Sequence, residues 1–212
     1  MDLAIIDYKM SNLHSVREAC KKVNIDCEIT SKPEKILDAK IVILPGVGAF
    51  GEAMLKLQER DLDDCIIRFF ESGRPIIGIC LGLQLLFESS DEFGSYKGLG
   101  LVKGSVKKFD LQTINDVKYP IPQIGWNKIF KNEKDWKDSL LKNNIDGDFM
   151  YFVHSHYAEP KDKNIIYSTT LYGQKNFCSS IKFQNIFAVQ YHPEKSGENG
   201  LKIYKQIREA YL

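Results

Sequence analysis

Apolar residues follow two rhythms along the chain, and the change between them near Gly98 sets the expected architecture. In the first half, short continuous apolar runs at Leu3 to Tyr8, Ile41 to Leu44 and Ile76 to Ile79 read as strands buried on both faces. Helical patterns stand between them. Asn12 precedes Leu13, Val16, Cys20 and Val23, and Asp61 is expected to cap a second helix carrying Leu62, Ile66, Phe69 and Phe70, which Gly73 and Pro75 end. Strand and helix in alternation predict a parallel sheet with both faces covered. From Gly98 onward the runs are shorter: Gly104 to Phe109, Ile124 to Phe130, Phe149 to His154, Ile165 to Tyr172, Cys178 to Phe183 and Ile186 to His192. These predict antiparallel additions, closed by an amphipathic helix with Leu201, Tyr204, Ile207 and Tyr211 on one side. The expected fold is therefore α/β, a mostly parallel central sheet flanked by helices with additional antiparallel strands in the second half. Residues 1–212 are expected to form a single domain, since no repeat, low-complexity tract or linker interrupts them.

Composition agrees and narrows the function classes. With 212 residues, 43% apolar and 27% charged, the chain can bury one well-packed core. Positive and negative residues nearly cancel at a net charge of +1, so no nucleic-acid footprint is expected, and Lys21-Lys22 and Lys107-Lys108 read as solvated faces. The five cysteines, at 20, 27, 65, 80 and 178, show no paired-ligand spacing, and an odd number suits a reducing, cytoplasmic setting. The N-terminus enters a strand without a secretion-type sequence, and no apolar run approaches membrane-spanning length.

Three segments carry candidate chemistry. The first, Gly78-Ile79-Cys80-Leu81-Gly82, takes a strand sharply into a helix. Such an elbow presents a nucleophile at its apex, and the N-terminus of the following helix favours thiolate over thiol. Taken alone it also fits a small buried core thiol. The second segment runs from Ile186 through Gln190, Tyr191 and His192 to Pro193, Glu194 and Lys195. Pro193 stops the ladder and turns the imidazole of His192 outward, and Glu194 doubles back to hold one ring nitrogen. A base steadied by a carboxylate is what a cysteine nucleophile needs, although alone the segment also fits a solvated surface. In the third, Pro45-Gly46-Val47-Gly48 ends a strand, and its turn can aim peptide N–H groups at an oxyanion. The backbone amides of Val47 and Leu81 are the candidate donors.

Together these residues resemble the class I, triad-type glutamine amidotransferases, and among them the glutaminase subunits of imidazole glycerol phosphate synthase. Leu3 to Tyr8, Pro45 to Gly48, Gly78 to Gln84, Gly125-Trp126-Asn127, Tyr151 to Ser155 and Gln190 to Ser196 carry the resemblance nearly end to end. It implies a nucleophile at Cys80, a general acid and base at His192 and an orienting carboxylate at Glu194. It further implies that glutamine is gripped by Gln84, Glu92 and backbone around Ser155, and that Trp126 and Lys195 line a docking face. No cofactor is implied. The implied partner is a (β/α)8-barrel cyclase that forms a heterodimer with the glutaminase, activates it and consumes its ammonia in histidine biosynthesis.

Some positions depart from the family pattern. Lys9-Met10-Ser11 replaces a glycine-bearing loop, which predicts a backbone there that avoids strongly positive φ. Gln123 and His156 stand where the family more often has other residues. These changes leave open an alternative acceptor, a sugar amidotransferase of surface-glycan synthesis, and a non-catalytic binding module is a further alternative. Because strand, elbow and base consume the chain, the acceptor is expected on another polypeptide. His154 and His156, two apart, are expected on one strand face, yet with no third ligand no metal is expected. Tyr151, Phe152 and Tyr157 read as packing residues and His14 as surface.

Overall fold

The computed structural model describes residues 1–10, 12–110 and 119–212. Its first half is β1 (Leu3–Ile6), α1 (Leu13–Lys22), β2 (Cys27–Thr30), α2 (Pro33–Asp38), β3 (Ile41–Gly46), α3 (Phe50–Gln58), α4 (Leu62–Glu71), β4 (Ile76–Cys80) and α5 (Leu81–Leu85). Strands then dominate: β5 (Phe87–Ser90), β6 (Tyr96–Lys97), β7 (Val102–Lys108), β8 (Gln123–Lys128), β9 (Phe130–Lys131), β10 (Phe149–His154), β11 (His156–Pro160), β12 (Ile166–Tyr172), β13 (Lys175–Phe183) and β14 (Ile186–Val189). Helix α6 (Gly197–Tyr211) closes the fold.

The central sheet runs β2-β1-β3-β4-β14-β13-β12-β9. It is parallel from β2 to β14 and antiparallel beyond, as the two rhythms predict. Apart from the edge strand β2, its parallel strands are apolar because each face meets helices. Ile41 and Ile43 pack with Val16 and Cys20 of α1 and Ile203 and Tyr204 of α6, while Val42 and Leu44 pack with Ile36 of α2, Phe50 of α3 and Ile66 of α4. Burying each such side chain stabilises the fold by about 1.5–3 kcal/mol before conformational entropy is counted. Two smaller sheets, β11-β7-β5-β6 and β10-β8, flank the carboxyl ends of the central strands.

This order explains why segments far apart in sequence converge. Strands β3, β4 and β14 are neighbours, so Gly46, Cys80 and the chain leading to His192 emerge side by side at one sheet edge. In open α/β sheets that edge is where ligands bind. Among the described residues, no helix is long and apolar enough to cross a membrane.

Several local expectations fail for identifiable reasons. Lys9 adopts φ 71°, contrary to the expected avoidance of positive values. Asp7 compensates, its carboxylate accepting the Lys9 backbone N–H at 2.9 Å and the Lys9 Nζ at 3.1 Å. Ser11 lies outside the described residues. Asp61 precedes α4 in a left-handed conformation, and its side chain makes no capping hydrogen bond. Strand β14 ends at Val189, three residues before His192, because His192 N–H leaves the sheet and donates to Tyr151 O at 2.9 Å. His154 and His156 belong to different strands, split by a bend at Ser155. No group of three or more His, Cys, Asp or Glu side chains able to hold a metal occurs among the described residues.

Candidate active site

The elbow is as tight as its glycines suggest. Cys80 sits at φ 54° and ψ −109°, a region that costs a non-glycine residue about 1–3 kcal/mol and persists only when its surroundings enforce it. Gly82 makes that enforcement possible, since a Cβ there would lie 1.8 Å from the Leu44 carbonyl oxygen. A Cβ at Gly78 would sit 2.9 Å from the Ala188 Cβ. The helix that follows has only five residues, so its dipole is smaller than expected from sequence, and the main positive charge beside the sulfur is a side chain.

That side chain is His192. Its Nδ1 lies 2.7 Å from Glu194 Oε1, and because a carboxylate only accepts, Nδ1 carries a hydrogen. The turn Pro193–Lys195 folds the carboxylate back onto the ring, and Ser196 Oγ ties it down by donating to His192 O at 2.6 Å. The other ring nitrogen, Nε2, is buried beside the Cys80 sulfur, in a contact short of good hydrogen-bond geometry. Burial alone would push the imidazole pKa down, but the Cys80 sulfur and the Glu194 carboxylate outweigh it and raise the pKa to about 10. Nearby His154 goes the other way. Burial lowers its pKa to about 4, and its Nδ1 lies 2.7 Å from His156 O, so this ring stays neutral.

The two candidate oxyanion donors differ. Leu81 is the first residue of α5, where a backbone N–H has no partner within the helix. Val47 N–H instead donates to Met10 O at 2.9 Å. Of the two candidate donors, the Val47 amide is thus turned onto the first loop. Tyr8 secures the base of that turn by donating its hydroxyl to Pro45 O at 2.8 Å.

A cavity of about 210 Å³ opens over the sulfur, lined by Val47, Gly48, Cys80, Gln84, Glu92, Pro122 and residues 153–156. Both carboxylate oxygens of Glu92 are engaged. One carboxylate oxygen accepts the Phe50 N–H at the start of α3 at 2.7 Å, and the other lies 3.3 Å from His156 Nδ1. Ser155 lines the cavity, and its carbonyl accepts the Phe109 N–H at 3.1 Å. Gln84 lines it as well, but its Nε2 donates to His156 O at 2.9 Å and Gln190 Oε1 at 3.0 Å, which leaves only its side-chain oxygen for a ligand.

Beside the cavity, β8 and β10 present an apolar face. Trp126 is 55% exposed and meets Tyr151 edge-on at 6.1 Å between ring centroids, while the exposed Lys195 places its Nζ 5.9 Å from the same Tyr151 ring. Ile124 extends this face at 63% exposure. Phe152 and Tyr157 are buried packing residues, and His14 is exposed, as expected. Met10, Gln190 and the contact of His156 with Glu92 were not singled out from sequence. Gln190 alone carried a signal there, standing two residues before the base.

The family model for glutamine amidotransferase class-I matches residues 4–207. The imidazole glycerol phosphate synthase subunit HisH of Sulfurimonas denitrificans is 44% identical over 205 residues, covering 97% of this chain and 96% of that protein. The HisH subunit of Aquifex aeolicus is likewise 44% identical over 210 residues, covering 98% and 96%. Among solved structures, PurLQS from Thermotoga maritima superposes with a TM-score of 0.73 at 20% identity, covering 98% of this chain and 97% of that one, a likeness of fold.

Proposed function

Because the chain belongs to the class-I glutamine amidotransferase family, alongside the HisH subunits of imidazole glycerol phosphate synthase, we propose that it is the glutaminase subunit of such a synthase. Cys80 Sγ attacks the side-chain carbonyl carbon of glutamine. The tetrahedral oxyanion takes the Leu81 N–H and, once it is released from Met10, the Val47 N–H. His192 gives its proton to the departing nitrogen, ammonia leaves, and a γ-glutamyl thioester remains on Cys80. Water then attacks the thioester, its proton passing to His192, and glutamate departs. Glu194 holds the ring throughout. Glu92 and the Gln84 oxygen receive the substrate ammonium group, and backbone at Ser155 holds the rest of the substrate.

Residues 1–212 act as one glutaminase domain, a reading supported by the span of the family match, and the ammonia is consumed by a separate cyclase subunit with a (β/α)8 barrel in the cytoplasm. Trp126 and Lys195 lie on the docking face, which supports this because an exposed aromatic flanked by apolar side chains is a common anchor of protein interfaces. Docking turns the Val47 amide into the site and raises activity. The likeness to HisH subunits along almost the whole chain favours this acceptor over the surface-glycan alternative.

The observation that carries the proposal is the 2.7 Å contact of Glu194 with His192, whose ring faces the sulfur on a strained elbow. The test is glutamate release from glutamine by the purified chain with its cyclase partner. Wild type releases glutamate and Cys80→Ala does not, with an unchanged fold by circular dichroism. Full activity in Cys80→Ala would overturn the nucleophile, and failure to rescue a histidine auxotroph that has a competent cyclase would overturn the pathway.

A further inference from the structure

Gln190 is wholly buried beneath the cavity, and its Nε2 lies 3.6 Å from Cys80 Sγ. Which end of this carboxamide faces the sulfur decides whether the contact helps a thiolate or repels it. An amide can be turned over in place, so its orientation needs an independent anchor.

Here a chain of hydrogen bonds supplies one. Gln84 Nε2 reaches the backbone carbonyl of His156 at 2.9 Å, and because that oxygen can only accept, the amino end of Gln84 is settled. The same Nε2 reaches the side-chain Oε1 of Gln190 at 3.0 Å, so the oxygen of Gln190 faces Gln84 and its amino group faces the sulfur. Turning Gln190 over would set two amino groups against each other and a carbonyl oxygen against Sγ. The main chain cannot slide to relieve this, since Gln190 N–H donates to Ser179 O at 2.9 Å. As a thiol, Cys80 faces the Val153 carbonyl at 3.8 Å, an acceptor that disfavours a thiolate. The Gln190 amide is the neutral donor that favours one.

We infer that Gln190 is a further catalytic residue of the glutaminase, an N–H donor to the attacking Cys80 thiolate, with Gln84 as the positioning residue that keeps its amide the right way round. The inference rests on the glutaminase reading above. As Sγ commits its electron pair to the new bond with the substrate carbon, it loses negative charge and the N–H contact weakens. The contact is restored when glutamate leaves. Gln84 thus acts on the nucleophile through Gln190, in addition to offering its oxygen to the substrate.

The test is the pH profile of Cys80 alkylation by iodoacetamide, read by peptide mass spectrometry in the chain bound to its partner, for wild type, Gln190→Met and Gln84→Met. Methionine keeps the length of glutamine and removes the donor. In Gln190→Met the pH of half-maximal alkylation should rise by about one unit, and the acid limb of the kcat profile should move up with it while KM stays within about twofold. Gln84→Met should move the profile the same way by less. A Gln190→Met profile that superimposes on wild type overturns the inference, while protection of wild-type Cys80 by glutamine would leave the glutaminase reading standing. Absence of that protection would instead overturn the glutaminase reading. If Gln190→Met fails to fold, the Gln84→Met profile decides: an upward shift supports the inference and an unchanged profile overturns it.

Discussion

Two glycine-bearing turns meet over the cavity, and they are built to different tolerances. At the elbow after β4, Cys80 is strained, Gly82 has a backbone oxygen where a Cβ would go, and the sulfur already faces a protonated imidazole held by Glu194. At the turn after β3, Val47 is 38% exposed and its amide points at Met10 O. Gly48, at φ 106°, would bring a Cβ to within 2.8 Å only of the flexible end of Met10. One turn is locked by its packing, and the other is latched onto the first loop by a single backbone hydrogen bond. Under the proposed mechanism, nucleophile and base are prepared in advance and the oxyanion donor is left to be switched by the partner.

Breaking the locked turn should have the largest effect. Gly82→Ala sets a Cβ against the Leu44 carbonyl, which cannot yield cheaply, and should cost roughly 3–5 kcal/mol of stability in urea titration, with glutamate release lost. Removing the switchable donor should hurt catalysis while sparing the fold. Val47→Pro has no N–H, so kcat with the partner bound should fall by about 10²–10³ with KM little changed, and stability should move by only about 1 kcal/mol from loss of the bond to Met10.

The smallest effect sharpens the electrostatic half of the comparison. His192 holds its proton to about pH 10 in the folded chain against 6.5 ordinarily. The stability it contributes is therefore complete below pH 6.5 and is lost as pH rises through 10. Glu194→Gln removes one of the two groups that keep the proton there. The Tm gap between wild type and this variant should be widest near pH 6, about 3 °C, and should narrow toward pH 10 in calorimetry. A gap that widens with pH would mean that the ring is held neutral.

The locked turn could be read from sequence, and the latched one could not. Cys80, His192 and Glu194 announce themselves because glycines, a proline and an apolar strand leave few other conformations, and because neighbouring parallel strands must deliver their ends to one edge. The Val47 amide depends on a tertiary hydrogen bond to a loop 37 residues earlier, for which no local pattern exists. Glu92 is named from sequence as a substrate contact, but its bond to the Phe50 N–H depends on α3, which the sequence pattern does not predict. Asp61 had the composition of a cap, but its left-handed backbone turns the side chain away from that role. Lys9 does adopt a glycine-like φ, because Asp7 offers two hydrogen bonds that composition alone does not weigh.

The central claim is that the Cys80 sulfur takes the γ-glutamyl group from glutamine. Its most direct test is acid quenching of the partner-bound chain during turnover, followed by mass spectrometry of the peptide that contains Cys80. The account predicts an adduct with the mass of one γ-glutamyl group on that residue, absent from Cys80→Ala and decaying as glutamate appears. Sustained glutamate release with no such adduct, or with the adduct on another cysteine, would contradict it.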